Sequence, residues 1–217
     1  MRIKVCCIQS IDEAKLAISN GAHALGFVSE MLSGTRVIKD DEIRKIVEAT
    51  PRTFATVLLT SEDDPNTIVR HQQATRTNTL QLVGPVSPDT VRDLRDALPG
   101  ITLIKVVHVQ DSSSIDAALS FSAVADVLLL DTKVKVHDGE ALGGTGVTHD
   151  WSISREIVEA SPLPVFLAGG LAPENVAEAI RIVSPFGVDV CSGLRPNGSL
   201  EAGRIRDFVA RASGAAA

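Results

Sequence analysis

Hydrophobic positions along the chain fall into two alternating kinds of run. Short apolar stretches rich in β-branched residues recur at Ile3–Ile8, Ala24–Val28, Thr53–Leu59, Thr79–Val83, Thr102–Val109, Asp126–Asp131, Pro164–Ala168 and Gly187–Cys191. Longer segments with helical spacing lie between them. Ile11, Ala14, Ala17 and Ile18 share one face of the first; Ile43, Ile46 and Val47 share a face of the second; Val176, Ala179, Ile180 and Ile182 mark a late one. Helix starts are signalled by Ser10 with Glu13 three residues on, by Ser87-Pro88-Asp89, and by Ala172-Pro173-Glu174. Gly21, Gly100 and Gly214 fall where helices should end.

This pattern makes eight strand–helix units at roughly 25 to 27 residues each, the spacing of parallel β/α architecture. Val127-Leu128-Leu129-Leu130 and Ile104-Lys105-Val106-Val107 are apolar on both faces, Lys105 apart, as strands of a helix-covered parallel sheet must be. Eight units and no second zone of composition predict an α/β fold, a (β/α)8 TIM barrel, as a single domain over residues 1–217. Ala212 to Ala217 is expected to fray.

Composition narrows the partners. With 44% hydrophobic and 22% charged residues the chain reads as a soluble globular protein. A net charge of −6, with no basic run, disfavours nucleic acid. No apolar stretch reaches membrane-spanning length, and MRIKVCCIQS enters a strand with no signal peptide, so a cytoplasmic protein is expected. Cys6, Cys7 and Cys191 are a poor disulfide framework, and no His or Cys spacing suits a metal.

In such a barrel the chemistry sits at the C-terminal ends of the strands. The polar residues there are Cys6, Gln81, Lys105, Asp131, Asp189 and Ser192. Strand alternation predicts that Cys6 and Cys7 point opposite ways. Leu167-Ala168-Gly169-Gly170-Leu171 and Cys191-Ser192-Gly193-Leu194 follow the seventh and eighth strands, the usual phosphate site of this fold; their glycines either admit a phosphate to the backbone or only make tight turns. Gly139 to Gly146, after the sixth strand, reads as a flap or as a plain surface loop. Asp131 is either a satisfied structural carboxylate or an acid–base group, and Cys6 either inert packing or a reactive thiol.

Several segments, taken in order, resemble the phosphoribosylanthranilate isomerase family. They are Lys4-Val5-Cys6, Gly21-Ala22-His23-Ala24-Leu25-Gly26-Phe27-Val28, Ser33-Gly34-Thr35-Arg36, Leu80-Gln81-Leu82 and Asp131-Thr132-Lys133. Gly143-Gly144-Thr145-Gly146 with Asp150-Trp151-Ser152, Ala168-Gly169-Gly170-Leu171 with Pro173-Glu174-Asn175-Val176, and Val188-Asp189-Val190 with Ser192-Gly193 complete the set. The resemblance implies a (β/α)8 barrel that performs an Amadori rearrangement in tryptophan biosynthesis, with no cofactor, on a small phosphosugar substrate. It implies Cys6 as general base, Asp131 as general acid and Arg36 for the anthranilate carboxylate. Gly169, Gly170, Asp189, Ser192 and Gly193 complete the binding site it implies. Monomer and homodimer both remain open, as does the role of Lys105.

The chain also departs from the family pattern. Cys7 stands where glycine usually follows the catalytic cysteine, Val83 where histidine is common, and Val147 where a basic residue is common. The end of strand eight carries Cys191 and then Leu194-Arg195-Pro196-Asn197-Gly198, where the family tends to have an acidic residue after a Ser-Ser-Gly-Val run. These differences leave open a related isomerase or epimerase of another phosphosugar, or a non-catalytic phosphosugar-binding protein.

Overall fold

The computed structural model describes residues 1–29, 36–136, 139–142 and 148–215, with the backbone alone over 133–136 and 139–142. The alternation becomes β1 (Arg2–Val5), α1 (Ile11–Ser19), β2 (Ala24–Val28), α2 (Asp40–Ala49), β3 (Ala55–Thr60), α3 (Pro65–Thr75), β4 (Thr79–Leu82), α4 (Pro88–Ala97), β5 (Thr102–Val109) and α5 (Ser113–Leu119). The chain continues through β6 (Val127–Val136), β7 (Gly139–Leu142), α6 (Trp151–Ala160), β8 (Val165–Leu167), α7 (Val176–Val183), β9 (Gly187–Val190) and α8 (Ala202–Ala215). The sheet runs β5-β4-β3-β2-β1-β9-β8-β6, and β5 pairs with β6 to close an eight-stranded parallel barrel. No helix among the described residues is long and apolar enough to cross a membrane.

Two apolar clusters follow from strand parity. In one, Ile3, Leu25, Leu80 and Leu128 pack with helix residues such as Ala17, Ile43 and Phe208. The other, including Val57, Ile104, Val106 and Leu129, contains only residues of strands and strand ends, and fills the lumen. Successive residues point to opposite faces, so each barrel strand feeds both clusters.

Local signals account for most helix ends. Ser10 accepts from the Glu13 N–H at 3.1 Å, while Glu13 accepts from the Gln9 N–H at 3.0 Å. Ser87 accepts from the Thr90 N–H ahead of Pro88. Pro173 does not open α7; it starts the turn that feeds it, because the Asn175 carboxamide bonds to the Ala172 N–H and the Gly170 carbonyl.

Three other expectations change. First, β6 continues five residues beyond Asp131, to Val136, and pairs antiparallel with β7. Lys133-Val134-Lys135-Val136 alternates polar and apolar, a strand period that the charges disguise as a loop. Part of the expected loop, Gly139–Leu142, is therefore strand, and Gly143 to Val147 lies outside the described residues. Second, the C-terminal segment does not fray from Ala212: α8 runs to Ala215, buries Ala212 completely and contains Gly214, so that glycine is no cap. Third, Cys6 and Cys7 do not separate to opposite faces. β1 ends at Val5 and Cys7 takes φ +62°, which breaks the alternation and leaves both thiols in the lumen cluster.

Candidate active site

The lumen near the C-terminal ends of the strands is built around β1. Lys4 and Cys6 share one parity and both point inward. A Cβ on Gly26 of β2 would stand 2.8 Å from Cys6 Sγ and 3.1 Å from Lys4 Nζ, so glycine at 26 is what leaves room for both. Lys4 Nζ donates to Asp189 Oδ2 at 2.8 Å, its strand neighbour across the β1–β9 pairing. Burial alone would lower the Lys4 pKa; the Asp189 carboxylate outweighs it and holds the ammonium above the ordinary lysine range, with Cys6 adding to the effect. Two buried acceptors, Asp189 Oδ1 and Gln81 Oε1, find no hydrogen-bond partner among the described residues.

Asp131 reaches the same lumen from β6, level with His108 of β5. Burial pushes its pKa up to about 6, the Thr132 N–H at 2.7 Å opposes this, Asp189 raises it further and Lys4 lowers it. The carboxyl group is thus a proton donor poised near neutrality. Behind it, Thr132 Oγ1 meets His149 Nδ1 at 3.0 Å, and His149 Nε2 meets Ser154 Oγ at 2.6 Å. Burial lowers the His149 pKa to about 4, so the imidazole is neutral and bridges two hydroxyl groups.

The glycine turns after β8 and β9 adjoin this acid. Gly169 has φ +81°, and a Cβ there would fall 2.2 Å from Thr132 Oγ1. A Cβ on Gly193 would fall 2.1 Å from the Leu171 carbonyl oxygen, so the two turns pack directly on each other. Arg204 of α8 donates twice to the Gly193 carbonyl, at 3.0 and 2.8 Å, and pairs with Glu174. Asn175 and Arg204 therefore turn the Gly170 and Gly193 carbonyls away into the helix layer.

At the β1–β9 seam, Cys7 Sγ lies 2.6 Å from Cys191 Sγ. Arg195, whose side chain is fully buried, pairs with both Glu13 oxygens at 2.6 and 2.8 Å and donates to the Cys7 carbonyl at 2.7 Å. Arg36, at φ +64°, lies close enough to Glu13 and Cys191 for its charge to favour their anionic forms. Its preceding segment, Ser33-Gly34-Thr35, lies outside the described residues, as do Gly143-Gly144-Thr145-Gly146 and Val147.

Cys6, Asp131, Asp189, Gly169 and Gly193 thus share one end of the barrel, with Arg36 reaching its β9 side. Lys105 does not join them. Its parity is outward, and Nζ donates to the Leu82 and Gly84 carbonyls at 3.3 and 2.7 Å, over the Phe121 ring. Lys4, His149 and the Arg195–Glu13 pair were not singled out from sequence as parts of the site. Lys4 alone carried a usable signal, a lysine inside an apolar strand at the parity of Cys6. Among the described residues, no three His, Cys, Asp or Glu side chains are arranged to hold a metal ion.

An acid, a thiol and an ion pair gathered at the C-terminal rim of a closed parallel barrel define a (β/α)8-barrel enzyme. The chain belongs to the N-(5'phosphoribosyl)anthranilate (PRA) isomerase family, whose model matches residues 3–211. It is 41% identical to N-(5'-phosphoribosyl)anthranilate isomerase 2 of Methanosarcina mazei, over 98% of this chain and 94% of that one. Among solved structures it is similar to phosphoribosyl anthranilate isomerase from Thermotoga maritima, at TM-score 0.85 and 30% identity over 99% of each chain. It is also similar to a phosphoribosyl anthranilate isomerase in complex with reduced 1-(o-carboxyphenylamino)-1-deoxyribulose 5-phosphate, at TM-score 0.83 and 28% identity over 99% of each.

Proposed function

We propose that this chain converts N-(5-phosphoribosyl)anthranilate to 1-(2-carboxyphenylamino)-1-deoxyribulose 5-phosphate, the isomerase step of tryptophan biosynthesis, with Asp131 as general acid and Cys6 as general base. The observation that carries the assignment is electrostatic. One buried ammonium, Lys4, acts on both groups, raised against Cys6 and Asp189 and in turn restraining Asp131.

The steps follow from those positions. Asp131, in its protonated form, delivers its proton to the furanose oxygen as the C1–O bond breaks, leaving an iminium between C1 and the anthranilate nitrogen. The iminium makes the C2 proton acidic. Cys6 takes that proton as general base; the resulting enol tautomerises to the ketone. Asp189 Oδ1 and Gln81 Oε1, buried acceptors in need of donors, suit the sugar hydroxyl groups. The turns at Gly169-Gly170 and Ser192-Gly193 hold the phosphate. The Gly170 carbonyl faces Asn175, and a trans peptide sets its N–H, here that of Leu171, opposite its carbonyl, which supports an anion on the other side. Arg36 takes the anthranilate carboxylate through its fork. The protein acts in the cytoplasm, as a monomer or homodimer.

The test is loss of anthranilate-type fluorescence when purified protein meets phosphoribosylanthranilate. Cys6→Ala and Asp131→Asn should each lower kcat by about 10²–10⁴-fold with circular dichroism unchanged. Near-wild-type rates in both variants would overturn the residue roles, and no turnover by the folded wild type would overturn the activity.

A further inference from the structure

Three of the positions at which this chain departs from its family pattern touch one another. Cys7 and Cys191 are 184 residues apart in sequence, yet their sulfurs stand 2.6 Å apart, because β1 and β9 are paired neighbours. Arg195 donates to the Cys7 carbonyl. The backbone gives no reason for cysteine at position 7. Its φ of +62° is a left-handed conformation that suits glycine and strains an L-residue. A thiol kept at a site that disfavours its backbone, against a second thiol that replaces serine, points to sulfur chemistry.

We propose that Cys7 and Cys191 form an oxidant-reactive dithiol, a covalent modification site that a hydroperoxide converts to a disulfide across the mouth of the barrel. The two thiols differ in the way such a pair requires. Cys191 is half-buried, and the neighbouring Cys7 thiol, then Arg195 and Arg36, draw it toward thiolate against the effect of its burial. Cys7 is 8% exposed, and contacts with Cys191 and Cys6, with burial, push its thiol up. Cys191 is therefore the attacking group and Cys7 the resolving one.

In the first step the Cys191 thiolate attacks one peroxide oxygen, the O–O bond breaks, and the other oxygen leaves as water or alcohol after taking a proton. The product is a sulfenic acid on Cys191. In the second, the Cys7 sulfur attacks the Cys191 sulfur, the S–O bond breaks, and hydroxide leaves as water with the Cys7 proton. Two thiols lose two electrons in total and the peroxide is reduced by two. A dithiol reductant reverses the change by exchange. One consequence rests on the isomerase reading: Cys7 shares a peptide bond with Cys6, so tying it to β9 shifts the base and lowers turnover.

The experiment treats the full chain with hydrogen peroxide and counts thiols after denaturation. The expected count falls from three to one, and proteolytic mapping joins the peptides that hold Cys7 and Cys191. Cys191→Ser and Cys7→Gly, which install the residues usual in the family, should each abolish that cross-link, and turnover of the oxidised wild type should fall at least tenfold and return with dithiothreitol. A count that stays at three, a Cys6–Cys7 or interchain cross-link instead, or a cross-link to Cys191 that survives Cys7→Gly would each overturn the site. The cross-link is read without any substrate. A failed isomerase assay would thus leave the disulfide result standing, and a missing disulfide would leave the activity standing.

Discussion

Lys4 Nζ lies 2.8 Å from Asp189 Oδ2, with the two side chains 1% and 8% exposed. Two opposite charges sealed in one lumen stabilise each other only while both are present, since an uncompensated buried ion costs more than its pair contributes. Lys4→Met should therefore lower the unfolding free energy by about 3–5 kcal/mol in urea titrations. The double variant Lys4→Met/Asp189→Leu should recover much of that loss. A double variant as unstable as the two single losses added together would mean that the two charges are not coupled.

The state of Asp131 sets the pH dependence of turnover. Its carboxyl must be protonated to act as acid, and its folded-state pKa lies near 6. The free-enzyme profile of kcat/KM should then carry a descending limb centred near pH 6, falling about tenfold per pH unit beyond it. Asp131→Asn should abolish that limb along with most of the rate. A wild-type profile flat from pH 5 to 8 would contradict the acid role.

His149 predicts a separate effect on stability. Its pKa falls from 6.5 in the unfolded chain to about 4 in the fold, so the unfolded chain takes up the proton first as the medium acidifies. The stability is fully present above about pH 6.5 and is lost on the way down to about pH 4, in total about 3 kcal/mol for this one group. His149→Gln, which keeps a donor and an acceptor for Thr132 and Ser154, should flatten the fall across that window. Denaturant midpoints at pH 7 and pH 4 for the two proteins test it; parallel losses would remove His149 as the cause.

Gly193 tests the phosphate turns. Its absent Cβ would overlap the Leu171 carbonyl oxygen at 2.1 Å, a backbone atom with no rotamer to yield. Gly193→Ala should push the two turns apart, cost about 1–3 kcal/mol of stability and raise KM for the phosphosugar well beyond any fall in kcat. An unchanged KM would detach this turn from the phosphate.

Much of this was legible in the chain. β2 and β5 begin and end where the apolar runs do, and the rule that chemistry gathers at the strand C-termini put Cys6, Asp131 and the glycine turns together. The rest depended on contacts between distant residues. Lys4 and Asp189 are 185 positions apart, and Arg195 and Glu13 are 182 apart, so neither pairing has a local signature. Cys7 misled because alternation presumes extended backbone, and a left-handed residue just past the end of β1 cancels it. The overrun of β6 was hidden because lysines occupy the polar half of its alternation.

Lys105 is a second buried lysine, and it differs from Lys4 in having no carboxylate partner among the described residues. Burial brings its pKa down to about 8. At that pH about half of its amines are uncharged, against roughly one in 300 for an ordinary lysine. An uncharged amine is a nucleophile, yet this one is only 5% exposed, between the β4–α4 turn and Phe121. Acylating reagents can reach it only when the helical shell parts from the barrel wall, so its labelling rate serves as an internal clock for that opening.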